Sequence, residues 1–227
     1  MSKTVSAARM GTEPLNPLLL SLAIPMMISM LVQALYNVVD SIFVSYVNEA
    51  ALSAVSLAYP IQNLLIAFAV GTAVGVNAYL SKNLGEGNHA EADRAAANGL
   101  FLAVCSAIAF LLFGLFGARA FIHAQTSDAL IARYGSEYLS ICTIFSLGCC
   151  VQCMMEKILV STGRSTFAMT TQLIGAVTNI VLDPVFIFGL FGVPRLEAAG
   201  AAVATVIGQF VGAGAALTLH FLYNKDV

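Results

Sequence analysis

Long apolar stretches alternate with short polar segments along nearly the whole chain. Because a membrane-spanning helix needs about 20 mainly apolar residues, we looked for stretches of that length, and six are present. They predict transmembrane helices at residues 18–47, 52–80, 95–116, 134–160, 167–191 and 200–223. The polar segment 82–94 contains two glycines followed by helix-favouring residues, which predicts a loop with a short surface helix. The pattern therefore predicts an all-α integral membrane protein, with residues 1–16 as an N-terminal segment and residues 17–227 as one six-helix domain.

The composition supports a membrane location. Hydrophobic residues make up 59% of the 227 residues and charged residues only 10%, whereas a soluble domain has about 25% charged residues. The lipid bilayer is the expected surrounding, and the chain has no basic patch that would bind nucleic acid. Five cysteines all lie in apolar stretches and are interpreted as packing residues, so we expect no metal site and no other cofactor: Cys105, Cys142, Cys149, Cys150 and Cys153.

The distribution of lysine and arginine predicts the orientation, because cytoplasmic loops carry an excess of these residues. One side of the predicted helices holds seven of them: Lys3, Arg9, Lys82, Arg94, Lys157, Arg164 and Lys225. The other side holds Arg119, Arg133 and Arg195. Both termini are therefore expected in the cytoplasm. Glu156, beside Lys157 near the inner end of the fourth helix, is expected to extend to the headgroups.

Two acidic residues lie inside predicted membrane-spanning helices, Asp40 in the first and Asp183 in the fifth. A carboxylate in hydrocarbon costs about 2.5–3.5 kcal/mol on insertion scales and is rare unless it faces a partner, a cavity or an ion. With a rise of about 1.5 Å per residue, both residues fall in the outer half of the bilayer. Because the two helices run in the same direction, we expect the carboxylates at similar depth, as a shared ion site requires.

Each acidic residue belongs to a polar stripe. In the first helix Gln33 and Asn37 share one face with Asp40, and in the fifth helix Gln172 and Asn179 share one face with the second aspartate. The sixth helix adds two further residues, Thr205 and, one turn earlier, Ala201. For Gln33 and Gln172 a static interhelical hydrogen bond is an equally open interpretation.

Prolines and glycines indicate where helices bend or approach closely. Pro25 removes a backbone hydrogen bond from the first helix and is a candidate hinge, whereas Pro184 is interpreted as an ordinary kink. Two pairs of glycines spaced by four residues predict close helix approach: Gly71 with Gly75, and Gly208 with Gly212.

Several short motifs resemble those of one transporter family. In chain order they are AIP at 23–25, YNVVDSIFV at 36–44, GEGNHAEA at 85–92, TGRS at 162–165, NIVLDPVFIFG at 179–189 and GAAVAT at 200–205. Together they resemble the multidrug and toxic compound extrusion (MATE) transporters, in particular the bacterial MepA-like and DinF-like branch. The likeness covers nearly the whole chain.

The resemblance implies a fold and a set of site residues. In MATE transporters the first six of twelve helices form one lobe, so this chain would correspond to one lobe. The implied cation site consists of Asp40, Asn179, Asp183, Thr205 and Ala201, the last through its backbone carbonyl. The substrate-path candidates are Gln33, Tyr36, Asn37 and Gln172. Because the family's members are about twice as long, a second lobe or a homodimer partner is expected, and a fragment and a natural half-size protein both remain open.

The leading hypothesis is a cation-coupled antiporter of a bacterial inner membrane that exports amphipathic, often cationic compounds. The coupling ion is H⁺ or Na⁺, since carboxylates can take up protons and the site oxygens are hard donors. The first alternative is a flippase for lipid-linked precursors of the same superfamily, which would usually present a more cationic cavity. The second is a non-transporting half-transporter that acts as an interaction subunit. The two carboxylates lack the Gly-x-Gly-Asp context of intramembrane aspartyl proteases, so no enzymatic activity is expected.

Overall fold

Helices form almost all of residues 14–224, which are the residues that the computed structural model describes. They are α1 Leu15–Ser45, α2 Glu49–Gly85, α3 His89–Phe116, α4 Ala118–His123, α5 Ala129–Ile144, α6 Leu147–Ser161, α7 Ser165–Phe188 and α8 Ala198–Tyr223, with a 3₁₀ turn at Leu190–Gly192. Most of the predicted N-terminal segment 1–16 lies outside the described residues, as do Lys3, Arg9 and Lys225. Within the described residues there is no strand, which confirms the all-α prediction.

The prediction of six membrane spans is confirmed, with one correction. Five helices are each long and apolar enough to cross a membrane, and α5 with α6, which are bent by 47°, pass the same test together, which gives six spans when this pair is counted as one. The predicted single helix 134–160 is therefore two helices. Their junction is held by α3, because the Ser146 hydroxyl donates to the Ala107 carbonyl (3.3 Å) and a Cβ at Gly114 would lie 2.5 Å from Thr143 Oγ1. Side-chain hydrogen bonds and close contacts of this kind bend helices.

The predicted surface helix in segment 82–94 is absent as a separate element. Instead α2 continues to Gly85 and α3 already begins at His89. Asn88 accepts a hydrogen bond from the backbone N–H of Glu91, which is a typical start of a helix. The helix-favouring residues therefore extend the third span. The short helix α4 was not predicted.

Small residues bring the last three helices of the bundle together. A Cβ at Gly208 of α8 would lie 2.8 Å from the Gly175 carbonyl oxygen of α7, and one at Gly212 would lie 2.7 Å from Gln152 Nε2 of α6. The predicted close approach at Gly208 and Gly212 is thus confirmed. The same prediction is wrong for Gly71 and Gly75 within the described chain, because no heavy atom would lie within 4 Å of a Cβ there.

Two apolar clusters fill the bundle, one toward each end. The first includes Val44, Ile122, Leu139 and Ile187, and the second includes Leu80, Met154, Met155 and Leu159. Cys142 and Cys150 belong to these clusters, which agrees with their interpretation as packing residues. All five cysteines are free, and Cys105 is exposed.

The first span is attached to the bundle along one side. Helix α1 packs mainly on α7, and many of its apolar side chains are exposed in the described chain. Pro25 lies inside this continuous helix and Pro184 lies inside α7. The hinge role of Pro25 stays a prediction.

Candidate cation site and polar cavity

The two aspartates of the membrane spans lie on neighbouring helices. Asp40 of α1 is 7% exposed and Asp183 of α7 is fully buried. About one turn further along each helix, the rings of Phe43 and Phe188 meet edge to face with their centroids 6.4 Å apart. Since α1 and α7 are the first and fifth spans, they run in the same direction, and this ring contact places the carboxylates at similar depth.

Asn179 connects the fifth span to the sixth. Its Nδ2 donates to Asp183 Oδ1 (3.3 Å), one turn further along α7, and to Thr205 Oγ1 of α8 (3.2 Å). The close approach of α8 depends on Gly208, where a Cβ would lie 3.2 Å from the Cβ of Asn179. Ala201 is fully buried one turn before Thr205, and its ligand role through the carbonyl stays a prediction.

The cluster has more buried acceptors than donors. Among the described residues, Asp40 Oδ1, Asn179 Oδ1 and Asp183 Oδ2 are buried without a hydrogen-bond partner. A buried polar group in this condition costs about 1–3 kcal/mol. A bound cation or proton would stabilise these oxygens, because either one supplies the positive charge that a hydrogen-bond donor would otherwise provide. The donor set of two carboxylates, one amide and one hydroxyl fits H⁺ or Na⁺.

A small cavity with a volume of about 50 Å³ adjoins this cluster. Its polar lining comes from four helices: Gln33, Tyr36, Gln152, Gln172, Asn179, Thr205 and Gln209. About 10–15 Å³ of space open to the centre of a water-sized sphere is enough for one water molecule, so the cavity has room for an ion or a few water molecules. A bulky organic compound does not fit inside it.

The structure separates Asn37 from the other predicted residues of its stripe. Asn37 is exposed, whereas Gln33 and Tyr36 line the cavity and Asp40 is buried. At 100° per residue, Asn37 lies about 40° from Gln33, on the side away from Tyr36. The common face of the stripe therefore points between Tyr36 and Gln33, which places Asn37 at its outer edge.

Sequence reasoning missed the contribution of α6. Gln152 Nε2 donates to Glu156 Oε1 (2.9 Å) and to Gln172 Oε1 of α7 (3.3 Å). The expected extension of Glu156 to the headgroups is therefore wrong, because its carboxyl accepts a hydrogen bond from Gln152, one turn earlier on α6. The available signal was the spacing of four residues between Gln152 and Glu156, which puts both on one helix face.

Comparisons with known proteins identify a family. The family model MatE matches residues 25–185. The FAD transporter of Shewanella oneidensis is 28% identical over 215 residues, which cover 88% of this chain and 44% of that protein. The multidrug export protein MepA of Staphylococcus aureus is 25% identical over 225 residues, which cover 95% of this chain and 47% of that protein.

Solved structures give the same result. The structure of the MATE multidrug transporter DinF-BH superimposes with a TM-score of 0.87 and 33% sequence identity. The match covers 97% of this chain and 48% of that chain. The chain thus spans about half the length of the relatives that it matches, which corresponds to one lobe.

Proposed function

We propose, from the premise that this chain belongs to the MatE family of membrane transporters, that it forms the ion-binding lobe of a cation-coupled exporter. The exported compounds would be amphipathic and often cationic, and the coupling ion would be H⁺ or Na⁺. The observation that carries the proposal is the buried cluster of Asp40, Asn179, Asp183 and Thr205 with its unpartnered oxygens. As part of the same proposal, this multi-pass protein resides in a bacterial inner membrane with both termini in the cytoplasm.

The ion would act by joining α1 to the rest of the lobe. A proton or Na⁺ between Asp40 and Asp183 neutralises charge and supplies the missing partner of the buried oxygens. When the ion leaves, two carboxylates on adjacent helices repel one another. Because α1 packs mainly on α7, this repulsion would change the position of α1 relative to α7. Pro25 is the proposed hinge. Coupling requires that the ion bind one arrangement of α1 more tightly than the other.

The substrate would bind outside the small cavity. Since about 50 Å³ cannot hold an amphipathic drug, we infer a wider cleft formed with a second lobe or with a second copy of the chain. Asn37, which is exposed beside the cavity, is positioned for such a cleft. Gln33, Tyr36 and Gln172 would then respond to the substrate from the cavity side.

Ethidium efflux from cells that produce these 227 residues tests the proposal. Asp183→Asn is the test variant, and Asp93→Asn is the matched control because Asp93 is exposed on α3. We expect efflux from the parent chain and the control and none from Asp183→Asn, with all three present in the membrane in equal amounts. Full efflux by Asp183→Asn would contradict the ion-site assignment. Absence of efflux from all three folded proteins would contradict function as a homodimer.

A further inference from the structure

A second carboxyl group inside the bundle lies apart from the aspartate pair. Glu156 is partly buried on α6, five residues before that helix ends at Ser161, and so about 8 Å from its end. It accepts a hydrogen bond from Gln152 Nε2 at 2.9 Å.

Polar groups continue from this carboxyl to the aspartates. Gln152 donates both to Glu156 and to Gln172 Oε1, and both glutamines line the cavity. The cavity reaches Asn179, which donates to Asp183. From residue 172 to residue 183 the helix rises about 16 Å, so the polar groups extend through roughly half of a hydrocarbon layer of about 30 Å.

Tyr36 provides a second connection through the same cavity. Its phenol lies on α1 one turn before Asp40 and lines the cavity. Gln152, which donates to Glu156, lines the same cavity. A hydroxyl that can donate and accept, beside space for water, is suited to pass a proton between two carboxyl groups.

We propose that Glu156 is a proton-exchange site that connects the Asp40–Asp183 pair, through the cavity beside Tyr36, to the end of the bundle at residues 162–164. This inference rests on the proposed function and deepens it by choosing protons as the coupled ion. A proton that leaves an aspartate is taken up by water or Tyr36 as another proton moves on to the Glu156 carboxylate. Glu156 then releases its proton at the bundle end.

The hydrogen-bond partner of Glu156 fits a proton better than Na⁺. The amide of Gln152 faces the carboxyl with an N–H group, which a metal ion cannot use as a ligand.

Among the described residues of α6, two titratable side chains are neighbours of Glu156. They are Lys157, next in sequence, and Cys153, about one turn earlier. From the neighbouring helices, Tyr36 of α1 is the titratable group that lines the same cavity as Gln152, the hydrogen-bond partner of Glu156.

Labelling with dicyclohexylcarbodiimide tests proton binding at Glu156 without requiring transport. This apolar reagent enters membranes and modifies protonated carboxyl groups there, and mass spectrometry locates the adduct. Glu137, exposed on the same span, is the matched control. We expect labelling of Glu156 at least tenfold above that of Glu137 in membranes from producing cells. Equal labelling of the two residues would overturn the proposal.

Proton movement in vesicles that contain the purified protein and a pH-sensitive dye tests the route. When ethidium is added, Glu156→Gln is expected to slow proton release at least tenfold, and Glu137→Gln to leave it unchanged. Glu156→Asp should restore part of the rate because it retains a carboxyl group. Should Glu156→Gln fail to fold, Gln152→Met, which removes the amide that bridges to α7, is expected to slow release as well.

The outcomes separate this inference from the proposed function. A wild-type rate in folded Glu156→Gln would overturn the route, while loss of transport in Asp183→Asn would still support the ion site. Ethidium transport that moves Na⁺ and no protons would overturn the route and leave the proposed function standing. If the parent protein moves neither ion, the proposed function fails, and the labelling result alone decides whether Glu156 exchanges protons.

Discussion

Replacing Asp183 by asparagine is expected to stabilise the fold while it abolishes coupling. Asp183 is fully buried, and its Oδ2 has no hydrogen-bond partner among the described residues. One turn earlier, Asn179 has the same deficit at Oδ1, and its Nδ2 already donates to Asp183 Oδ1. An amide at position 183 keeps an oxygen that can accept this hydrogen bond. It also adds an NH₂ group that can donate to the unpartnered oxygen of Asn179.

The magnitude follows from the number of polar groups that gain a partner. A buried polar group without a partner costs about 1–3 kcal/mol, and the substitution satisfies at least one such group. The free energy of unfolding should therefore rise by about 1–3 kcal/mol. For a chain of this length, 1 kcal/mol raises the Tm by about 2–4 °C. Coupling is lost because a neutral amide neither releases a proton nor balances the charge of Na⁺.

Thermal unfolding of the purified protein in detergent, followed by helical circular dichroism, measures the stability of Asp183→Asn. Asp93→Asn serves as the control, because its exposed side chain should leave both the Tm and the transport activity unchanged. A Tm equal to or below that of the parent protein would refute the reasoning about unpartnered oxygens. Retained coupled export would refute the assignment of Asp183 to the ion site.

Three further predictions concern helix contacts and the site hydroxyl. Gly208→Leu should lower the free energy of unfolding by about 1–3 kcal/mol, because a Cβ there would lie 2.8 Å from a backbone oxygen of α7. Gly71→Leu should leave the free energy of unfolding unchanged, because the space around Gly71 is open. Asn48→Ala removes the 2.7 Å hydrogen bond that caps the start of α2, so the free energy of unfolding measured by chemical denaturation should fall by about 1 kcal/mol. The fall should be smaller for Asn88→Ala, because the capping hydrogen bond of α3 is longer, at 3.4 Å. Thr205→Val removes the hydroxyl that accepts from the site asparagine, so ethidium efflux should fall while the protein remains folded; wild-type efflux would contradict this role.

Span number and helical class follow from local sequence, because about 20 apolar residues must form a helix in a bilayer whatever surrounds them. The bend in the fourth span does not follow in this way. It depends on α3, where Gly114 lies against Thr143 and the Ala107 carbonyl accepts from Ser146. Each of these pairs joins residues that are far apart in the chain, so no local pattern reports them.

Those site residues that cost much free energy to bury in hydrocarbon could be identified from the sequence. Asp40 and Asp183 stand out because charged groups in hydrocarbon need a partner, and Asn179 follows from helical spacing. The cavity and its links could not be predicted, because the rotation of α1 leaves Asn37 exposed while Tyr36 lines the cavity.

By itself, the sequence determined which segments enter the membrane and which side chains cannot face lipid there, because both depend on the free energy of transferring residues out of water. Only the tertiary structure decided which partner each polar side chain meets. Glu156 shows the difference, since it could have reached the headgroups along its own helix. Its carboxyl accepts instead from Gln152, which also donates to Gln172 of α7. This second bond forms only because of the way in which α6 and α7 are rotated and spaced.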